Sequence, residues 1–376
     1  MTKIRDVEAW FLQHKLSAVR GPSIVDYDTR EIVLIKVTDE EGAAGWGECY
    51  VVQGIGQMLE ELAQTLPGVD PAAAARRWRS PWRIRVNPWA TGGLSIALDD
   101  LRARQLGIPV HELYGGAVRE RVRAYASSGG YFVGVDPGIT WPQEVEEQIG
   151  LGYTAIKLRS GRYPPEHELP LLTKLRHETP AGVDLMVDGN AGYTFNQAVH
   201  VGEALGELGY AWFEEPLPQA GYVGYDRLAA RLEIPLAGGE VMEGRWEANE
   251  LLARGSFDIV QPDVGIIGGI GEVLFIAELA ELHAIRCIPH AWGGPVLIAA
   301  TLHAMSLLHD ATRSPASLGP LIEVDSAENP FRDHALHEPL TLVDGSLEVP
   351  PGPGLGVEVD EAWVKGHGRS LFRAGA

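Results

Sequence analysis

The sequence has 376 residues, of which 45% are hydrophobic and 22% are charged, so its composition is that of an ordinary globular protein. This length favours two domains rather than one. The net charge of −20 disfavours nucleic acid and anionic membranes as partners, because both attract a basic protein surface.

The cysteines and the start of the chain indicate where the protein works. Cys49 and Cys287 lie far apart in the sequence, a spacing that does not indicate a disulfide scaffold. The start, MTKIRDVEAW, has no apolar signal core, and no uninterrupted apolar run of about 18 residues is present. We therefore expect a cytoplasmic protein that has no membrane partner.

Residues 1–121 do not follow one repeating pattern and indicate an α+β domain. Apolar alternation predicts strands over 4–16 and 31–48, with a Glu-Gly turn inside the second. Residues 16–30 between them are polar and contain a Gly-Pro pair, so they predict a loop. Helical patterns follow over 56–66, 70–78 and 95–107.

From residue 122, short apolar runs alternate with helical stretches, as in buried parallel strands joined by helices. The runs cover 122–128, 153–159, 183–189, 210–215, 234–240, 257–263, 284–290 and 317–324. Eight such units predict an α/β fold of TIM type, a (β/α)8 barrel over 122–325. The remaining segment, 326–376, is rich in Pro and Gly, and we expect it to pack back on the capping domain at 1–121.

Charged residues end seven of these runs, and the carboxyl ends of barrel strands converge on the face where barrel enzymes keep their chemistry. They are Lys157, Asp188, Glu214, Glu240, Asp263, His290 and Glu323. This placement predicts an active site at that face.

Asp188, Glu214 and Glu240 end three successive strands at intervals of 26 residues. Three carboxylates on neighbouring strand ends would repel one another without a cation, and oxygen ligands with room for water suit Mg²⁺. Any one of them could equally be a solvated loop carboxylate, but three in register favour the metal interpretation. Glu215 competes with Glu214 for the role of metal ligand. Strand alternation puts the two on opposite sides of the strand, and we choose Glu214 because it keeps the 26-residue spacing.

His290 and Asp263 end the seventh and sixth strands. An imidazole beside a buried carboxylate is typical of a base and its orienting group, because the carboxylate fixes the tautomer and raises the basicity. The alternative is a histidine that only caps a neighbouring element.

Lys157 and Arg159 end the second strand as K-L-R. Two cations beside three carboxylates could hold the carboxylate of a substrate, or they could form ion pairs with the metal ligands themselves. Asn190 lies two residues past Asp188 and therefore points to the same side, where it could donate to a substrate hydroxyl.

Together these motifs resemble the mandelate racemase/muconate lactonizing enzyme family of the enolase superfamily, in its mandelate racemase-like branch. ALDDLRARQLGIPVHELYGG at 97–116 is similar to the family's helix and turn that enter the barrel, and KLR lies where the family often has K-x-K. VDGN, WFEEP and GGE are similar to the metal-ligand motifs, QPD and PH to the Asp–His dyad, IEVD to the eighth-strand Glu, and GSLEVPPGPGLGV to the closing segment. Their shared order over nearly the whole chain is specific, although each motif alone is weak.

The resemblance implies one Mg²⁺ per subunit on the three carboxylates and abstraction of the proton α to a carboxylate, with Glu323 among the catalytic residues. Arg159 departs from the family, whose second Lys in K-x-K is a base, because an arginine stays protonated. His290 is then the one available base. This favours a metal-dependent lyase, a dehydratase that converts an aldonate or aldarate to a 2-keto-3-deoxy acid.

Alternative functions stay open. PHAWGG at 289–294, which contains Trp292, is similar to a segment of sugar-acid lactone cycloisomerases. A racemase or epimerase of the same family needs a second base, and a non-catalytic, metal-dependent sugar-acid binding protein would not need the Asp–His dyad.

Loops of the capping domain are expected to select the substrate, a small carboxylate. The candidates are 16–30 and 50–56, and the residues proposed to contact the substrate are Arg20, Tyr27, Lys157, Arg159, Asn190 and Trp292. We also expect a homo-oligomer.

Overall fold

An antiparallel sheet packed against helices forms the capping part of the molecule. In the computed structural model, which describes residues 2–77, 87–309 and 319–375, strands β1 (Ile4–Gly21), β2 (Tyr27–Asp39) and β3 (Ala44–Cys49) pair in that order. The helices that follow are α1 (Ile55–Ala63), α2 (Pro71–Arg77), α3 (Pro88–Leu106) and a short 3₁₀ helix (Val110–Tyr114).

Two glycines of β3 allow α3 to pack directly on the sheet. A Cβ atom added to Gly45 would lie 2.3 Å from the carbonyl oxygen of Ala97, and one added to Gly47 would lie 2.0 Å from the carbonyl oxygen of Gly93. Any larger residue would collide with helix backbone, which cannot move aside as a side chain can. The contact places the end of β3 beside the barrel.

Eight parallel strands form the barrel, and the first seven pair in the order of the chain. They are β4 (Arg121–Ser127), β6 (Ala155–Arg159), β7 (Asp184–Asp188), β8 (Phe213–Glu214), β9 (Leu236–Gly238), β10 (Ile259–Val260), β11 (Arg286–Cys287) and β12 (Leu321–Asp325), whereas β5 (Tyr131–Phe132) pairs with β1. β12 pairs with β4 in parallel. Each strand or its flank contributes one residue to a buried inner cluster: Tyr125, Ala155, Met186, Trp212, Ala237, Ile259, Ile288 and Leu321.

Helices connect these strands. They are α4 (Pro137–Gly150), α5 (Pro165–Glu178), α6 (Phe195–Glu207), α7 (Tyr222–Ala229), α8 (Gly244–Arg254), the one-turn α9 (Val264–Ile267), α10 (Ile270–Leu282) and α11 (Pro295–Leu307). Local sequence fixes several of their starts: Asp136 caps α4 through the Gly138 amide at 2.7 Å, and Thr194 forms a capping box with Gln197 at α6.

The C-terminal segment contacts both parts of the molecule. Its elements are α12 (Pro330–His334), β13 (Ser346–Glu348), α13 (Glu361–His367) and β14 (Arg369–Gly375). β13 pairs with β4, and β14 pairs antiparallel with β1 at the edge of the capping sheet. The predicted fold class, a (β/α)8 barrel with an α+β cap completed by the C-terminal tail, is confirmed; the limits 1–121, 122–325 and 326–376 stay a prediction.

The polar loop predicted over 16–30 is wrong in its extent. β1 continues to Gly21 and β2 already begins at Tyr27, so only the short connection 22–26 is a loop. The backbone of this polar stretch forms strand hydrogen bonds with β2 and β5. Its side-chain pattern does not alternate and therefore does not indicate a strand. The predicted elements at 70–78 and 317–324 extend in part over residues 78 and 317–318, which lie outside the described residues.

No helix within the described ranges is long and apolar enough to cross a bilayer.

Candidate active site

The ends of neighbouring barrel strands stand in register. Arg159 on β6 lies opposite Asp188 on β7, and Asp188 lies opposite Glu214 on β8. The remaining predicted strand-end residues, Lys157, Glu240, Asp263, His290 and Glu323, contact this group directly or through one another. The structure therefore brings all seven strand-end residues predicted from the sequence into one cluster.

Asp188, Glu214 and Glu240 each place one carboxylate oxygen within 4.8 Å of the other two. Asp188 and Glu214 are buried, and burial together with the charge of Glu214 raises the pKa of Asp188 to about 7. Buried like charges at this separation need a cation, and an all-oxygen donor set is the one that Mg²⁺ prefers. The triad thus fits a Mg²⁺ site.

Lys157 is completely buried under the triad. Its ammonium lies 2.5 Å from Glu214 Oε1, 2.9 Å from Glu323 Oε1 and 3.7 Å from Asp188 Oδ2. Burial alone would lower the pKa of Lys157, but Glu214 and Glu323 outweigh it and raise the pKa. This is the ion-pair alternative left open by the sequence, and direct contact between Lys157 and a substrate stays a prediction.

Arg159 forms an ion pair with Asp188 and also donates to Asn190 Oδ1 at 3.2 Å and Ser127 Oγ at 3.1 Å. Burial would lower the pKa of its guanidinium, but Asp188 and the other carboxylates raise it further above its ordinary value. Asn190 donates to Asp188 through its backbone amide at 2.8 Å and its side chain at 3.0 Å. Arg159 is therefore a permanent cation at this site and cannot serve as a base.

The imidazole of His290 lies between carboxylates. Its Nδ1 donates to Asp263 Oδ2 at 2.7 Å, and its Nε2 lies 3.4 Å from Glu240 Oε2 and 3.6 Å from Glu323 Oε2. Burial would lower the pKa of His290, but Glu240, Glu323 and Asp263 outweigh it and raise the pKa to about 10. With Nδ1 protonated and bonded to Asp263, Nε2 is the atom free to accept a proton when the ring is neutral.

Tyr50 completes this dyad from the capping domain and was not identified from the sequence. Its hydroxyl donates to Asp263 Oδ2 at 2.6 Å and accepts from the Trp292 backbone amide at 3.0 Å. The Gly265 amide donates to the other Asp263 oxygen at 2.7 Å. Asp263 is therefore held by three donors, one of which comes from the cap.

Glu214, and not its neighbour Glu215, belongs to the acidic triad, as the sequence predicts. Glu215 has a left-handed backbone (φ 33°), and its Oε1 accepts from the Gly239 amide at 2.8 Å, one residue before Glu240. Burial and Glu240 raise the pKa of Glu215. Glu215 therefore fixes the backbone that carries Glu240, whereas Glu214 joins the triad.

Trp212 and Gln261 are two further contacts of the triad that the sequence interpretation missed. Their side-chain N–H groups donate to Glu214 Oε2 at 3.0 and 2.9 Å. Each lies two residues before a predicted site residue, Glu214 or Asp263, so strand alternation was a signal that could have found them.

A cavity of about 260 Å³ opens above these groups. Five of the six predicted substrate-contacting residues line it together with His290 and Glu240: Arg20, Tyr27, Arg159, Asn190 and Trp292. The Cζ of Arg159 lies 4.9 Å from the centroid of the Trp292 ring, and the Cζ of Arg30 lies 4.8 Å from the same centroid. The indole thus contacts one arginine of the barrel and one arginine of the cap.

Sequence comparisons agree with this architecture. Residues 14–115 match the family model "Mandelate racemase / muconate lactonizing enzyme, N-terminal domain", and residues 141–363 match "Enolase C-terminal domain-like". The chain is 34% identical to D-galactarolactone cycloisomerase of Agrobacterium fabrum, over 95% of this chain and 97% of the relative. It is 32% identical to D-galactonate dehydratase of Xanthomonas euvesicatoria pv. vesicatoria, over 89% and 90%.

A solved structure is similar over the whole chain. L-talarate/galactarate dehydratase from Salmonella typhimurium LT2, liganded with Mg and L-lyxarohydroxamate, superposes with a TM-score of 0.85 at 25% identity. The match covers 100% of this chain and 95% of that one. The presence of Mg in this neighbour is consistent with the donor set of the acidic triad.

Proposed function

Because the chain belongs to the mandelate racemase/muconate lactonizing enzyme family of the enolase superfamily, we propose that it removes the proton α to the carboxylate of a sugar acid. The first candidate reaction is the dehydration of an aldonate or aldarate to a 2-keto-3-deoxy acid. The dehydratases and cycloisomerase among its relatives support a small acid-sugar substrate.

The observation that carries this proposal is the geometry of His290. Asp263 holds Nδ1, and Nε2 faces the triad carboxylate Glu240 at 3.4 Å. His290 is the one imidazole among the described residues that line the cavity, and Arg159 stays protonated. A binding protein would have no use for a base oriented in this way.

In this proposal Asp188, Glu214 and Glu240 hold one Mg²⁺ per subunit. A bound Mg²⁺ would supply positive charge that stabilises the dianionic intermediate and, by offsetting the charge of Glu240, would lower the pKa of His290. Lys157 and Arg159 hold two carboxylates of the triad, Asp188 and Glu214, and Arg159 also offers charge to the substrate. Glu323 holds Lys157 and lies near His290 Nε2.

The chemical step then follows from one base. His290 Nε2 takes the α-proton, and the electron pair of the C–H bond moves into the carboxylate to form an enediolate. The C–O bond at the β-carbon breaks as that pair returns, and the proton on His290 is transferred to the departing hydroxyl, which leaves as water. The resulting enol tautomerises to the 2-keto-3-deoxy acid.

A sugar-acid lactone cycloisomerase is the second candidate, and the 34% identity to D-galactarolactone cycloisomerase favours it. Such a reaction can begin with the same α-proton removal. If the oxygen that leaves the β-carbon belongs to a ring, the ring opens and no water is released. The two candidates therefore share His290 and differ in the leaving group.

A screen of aldonates, aldarates and their lactones with Mg²⁺ tests the proposal. We expect a free keto acid from at least one of them, and exchange of its α-hydrogen in D₂O. Release of water from an open-chain acid identifies a dehydratase, and ring opening alone identifies a cycloisomerase. The proposal is wrong if the Mg²⁺-loaded protein binds these acids but neither exchanges the α-hydrogen nor forms a keto acid.

A further inference from the structure

Arg20, at the end of β1, is a nearly buried cation that the protein itself leaves poorly satisfied. Its side chain is 12% exposed, and its Nε is buried without a hydrogen-bond partner. The guanidinium lies over the ring of Phe132 at 4.6 Å, and the described carboxylate paired with it, Glu144, is 3.7 Å away, beyond hydrogen-bonding distance.

Another arginine that lines the same cavity contrasts with Arg20. Arg159 forms an ion pair with Asp188 and also donates to Asn190 Oδ1 at 3.2 Å and Ser127 Oγ at 3.1 Å. Glu144 does not play that part for Arg20: its Oε2 accepts from the Ser128 hydroxyl at 2.7 Å and the Gly129 amide at 2.6 Å, and these bonds hold its Oε1, the oxygen nearest Arg20, 3.7 Å from Nη2. A buried guanidinium carries a desolvation cost that acceptors have to offset, so an external acceptor is expected at Arg20.

The surrounding chain holds Arg20 at the cavity. Ser23 donates to the Ser160 carbonyl at 2.6 Å, and Arg162 donates to Pro22 and pairs with Asp26 at 2.7 Å, so the loop after Arg20 is fixed to the barrel. A Cβ atom on Gly130 would lie 2.7 Å from Arg20 Nη2. The missing side chain at position 130 therefore leaves the space that the guanidinium occupies.

We propose that Arg20 binds a second carboxylate, at the end of the substrate remote from the metal triad, and that diacid sugars are therefore preferred to monoacids. The inference rests on the proposed function, which places the first carboxylate at the triad. Arg20, His290 and Glu240 line the same cavity, so one small ligand can meet all three. A guanidinium presents parallel N–H groups that match the two oxygens of a carboxylate, whereas the terminal hydroxyl of a monoacid offers one neutral acceptor.

The test compares kcat/KM for aldarates and aldonates of matched configuration, such as galactarate and galactonate, with the full chain and Mg²⁺. We expect the wild type to favour the diacid, and Arg20→Met to lower the diacid-to-monoacid ratio by about 10- to 100-fold, the range for one hydrogen-bonded charge. The diacid-to-monoacid ratio of Arg20→Lys should lie between those of the wild type and Arg20→Met, because lysine keeps the charge but lacks the paired N–H donors. Arg227→Met, which removes an exposed arginine stacked on Phe195 at 4.0 Å, is the matched control and should keep the ratio.

A second variant guards against misfolding of Arg20→Met. Gly130→Ala displaces the guanidinium and keeps its charge, so it should also lower the ratio, mainly through a higher KM for the diacid. An unchanged ratio in a folded Arg20→Met or Gly130→Ala protein, or a wild type that prefers monoacids, would overturn the inference while α-hydrogen exchange still upholds the proposed function. Absence of exchange with every sugar acid would instead overturn both.

Discussion

His290 is held so that only one of its ring nitrogens is available to a substrate. We predict that His290→Asn abolishes both turnover and exchange of the substrate α-hydrogen, because asparagine cannot accept the proton. Asp263→Asn keeps a hydrogen-bonding partner for Nδ1 but loses its charge, so it should lower the rate less, by about 10²- to 10⁴-fold. Exchange measured by NMR in D₂O, with circular dichroism as the control for folding, tests both; wild-type exchange in His290→Asn would contradict the assignment.

In our proposal the α-hydrogen is removed from only one face of the substrate, because Arg159 on the other face cannot act as a base. His290 follows β11 and Arg159 ends β6, so the two groups approach a bound substrate from strands that are not neighbours. Removing a proton from a guanidinium near pH 7 would cost more than about 6 kcal/mol, because its pKa exceeds 12. We predict that a substrate exchanges its α-hydrogen in D₂O and that its α-epimer does not.

Arg159→Lys provides the complementary observation. Burial and neighbouring cations can lower the pKa of a lysine, so that its amine can act as a base. This variant should therefore permit some exchange of the α-hydrogen from the second face of the substrate. Equal exchange of both epimers by the wild-type protein would exclude a one-base mechanism and favour a racemase or epimerase.

Strand β3 of the cap and helix α11 of the barrel meet at Glu48. The buried Glu48 carboxylate accepts from the Gly294 amide and from the Leu297 amide at 3.2 Å, at the first turn of α11. Burial, which outweighs these bonds, raises the pKa of Glu48 from 4.5 to about 7. The folded state therefore binds the proton more tightly than the unfolded chain, and the contribution of Glu48 to stability is greatest below pH 4.5 and falls as the pH rises to about 7.

Glu48→Gln removes this titration. The unfolding free energy of the variant relative to wild type should rise by about 3 kcal/mol between pH 4.5 and pH 8, at 1.36 kcal/mol per pKa unit. Urea unfolding at a series of pH values, followed by circular dichroism, measures the difference. Glu40→Gln alters an exposed glutamate of the same domain and serves as the control; a pH-independent difference for Glu48→Gln would contradict the prediction.

Elements of the barrel could be predicted from the sequence because each one carries a local signal. Asp188, Glu214 and Glu240 follow apolar runs of strand length, and the topology of the barrel alone brings the ends of such runs together. Tyr50 has no comparable signal, because its partner Asp263 is 213 residues away and lies in the other domain. The extent of β1 beyond residue 16 depends on its pairing with β2 and β5, which apolar alternation does not encode.

Negative charge is clustered at the carboxyl ends of the barrel strands. Five buried or half-buried carboxylates, Asp188, Glu214, Glu240, Asp263 and Glu323, face two permanent cations, Lys157 and Arg159. The cluster therefore has an excess of three negative charges before His290 is counted, and one divalent cation reduces this excess to one. The cap contacts the barrel beside this cluster through Tyr50, which donates to Asp263, and through Glu48, which accepts from the Gly294 amide.

We predict that Mg²⁺ stabilises the folded protein, since the triad exists only when the barrel is folded. At a concentration 100 times the dissociation constant, the gain is about 2.7 kcal/mol, which raises the melting temperature by several degrees. Glu240→Gln should lose most of this Mg²⁺-dependent rise. It should change the melting temperature of the metal-free protein only slightly, because it relieves repulsion within the triad but also removes the carboxylate 3.4 Å from His290 Nε2. Differential scanning calorimetry with and without Mg²⁺ measures both effects, with Glu278→Gln, at an exposed position on α10, as the matched control. An equal Mg²⁺-dependent rise in wild type and Glu240→Gln would mean that the ion binds elsewhere, whereas a rise confined to wild type and the control places it at the triad.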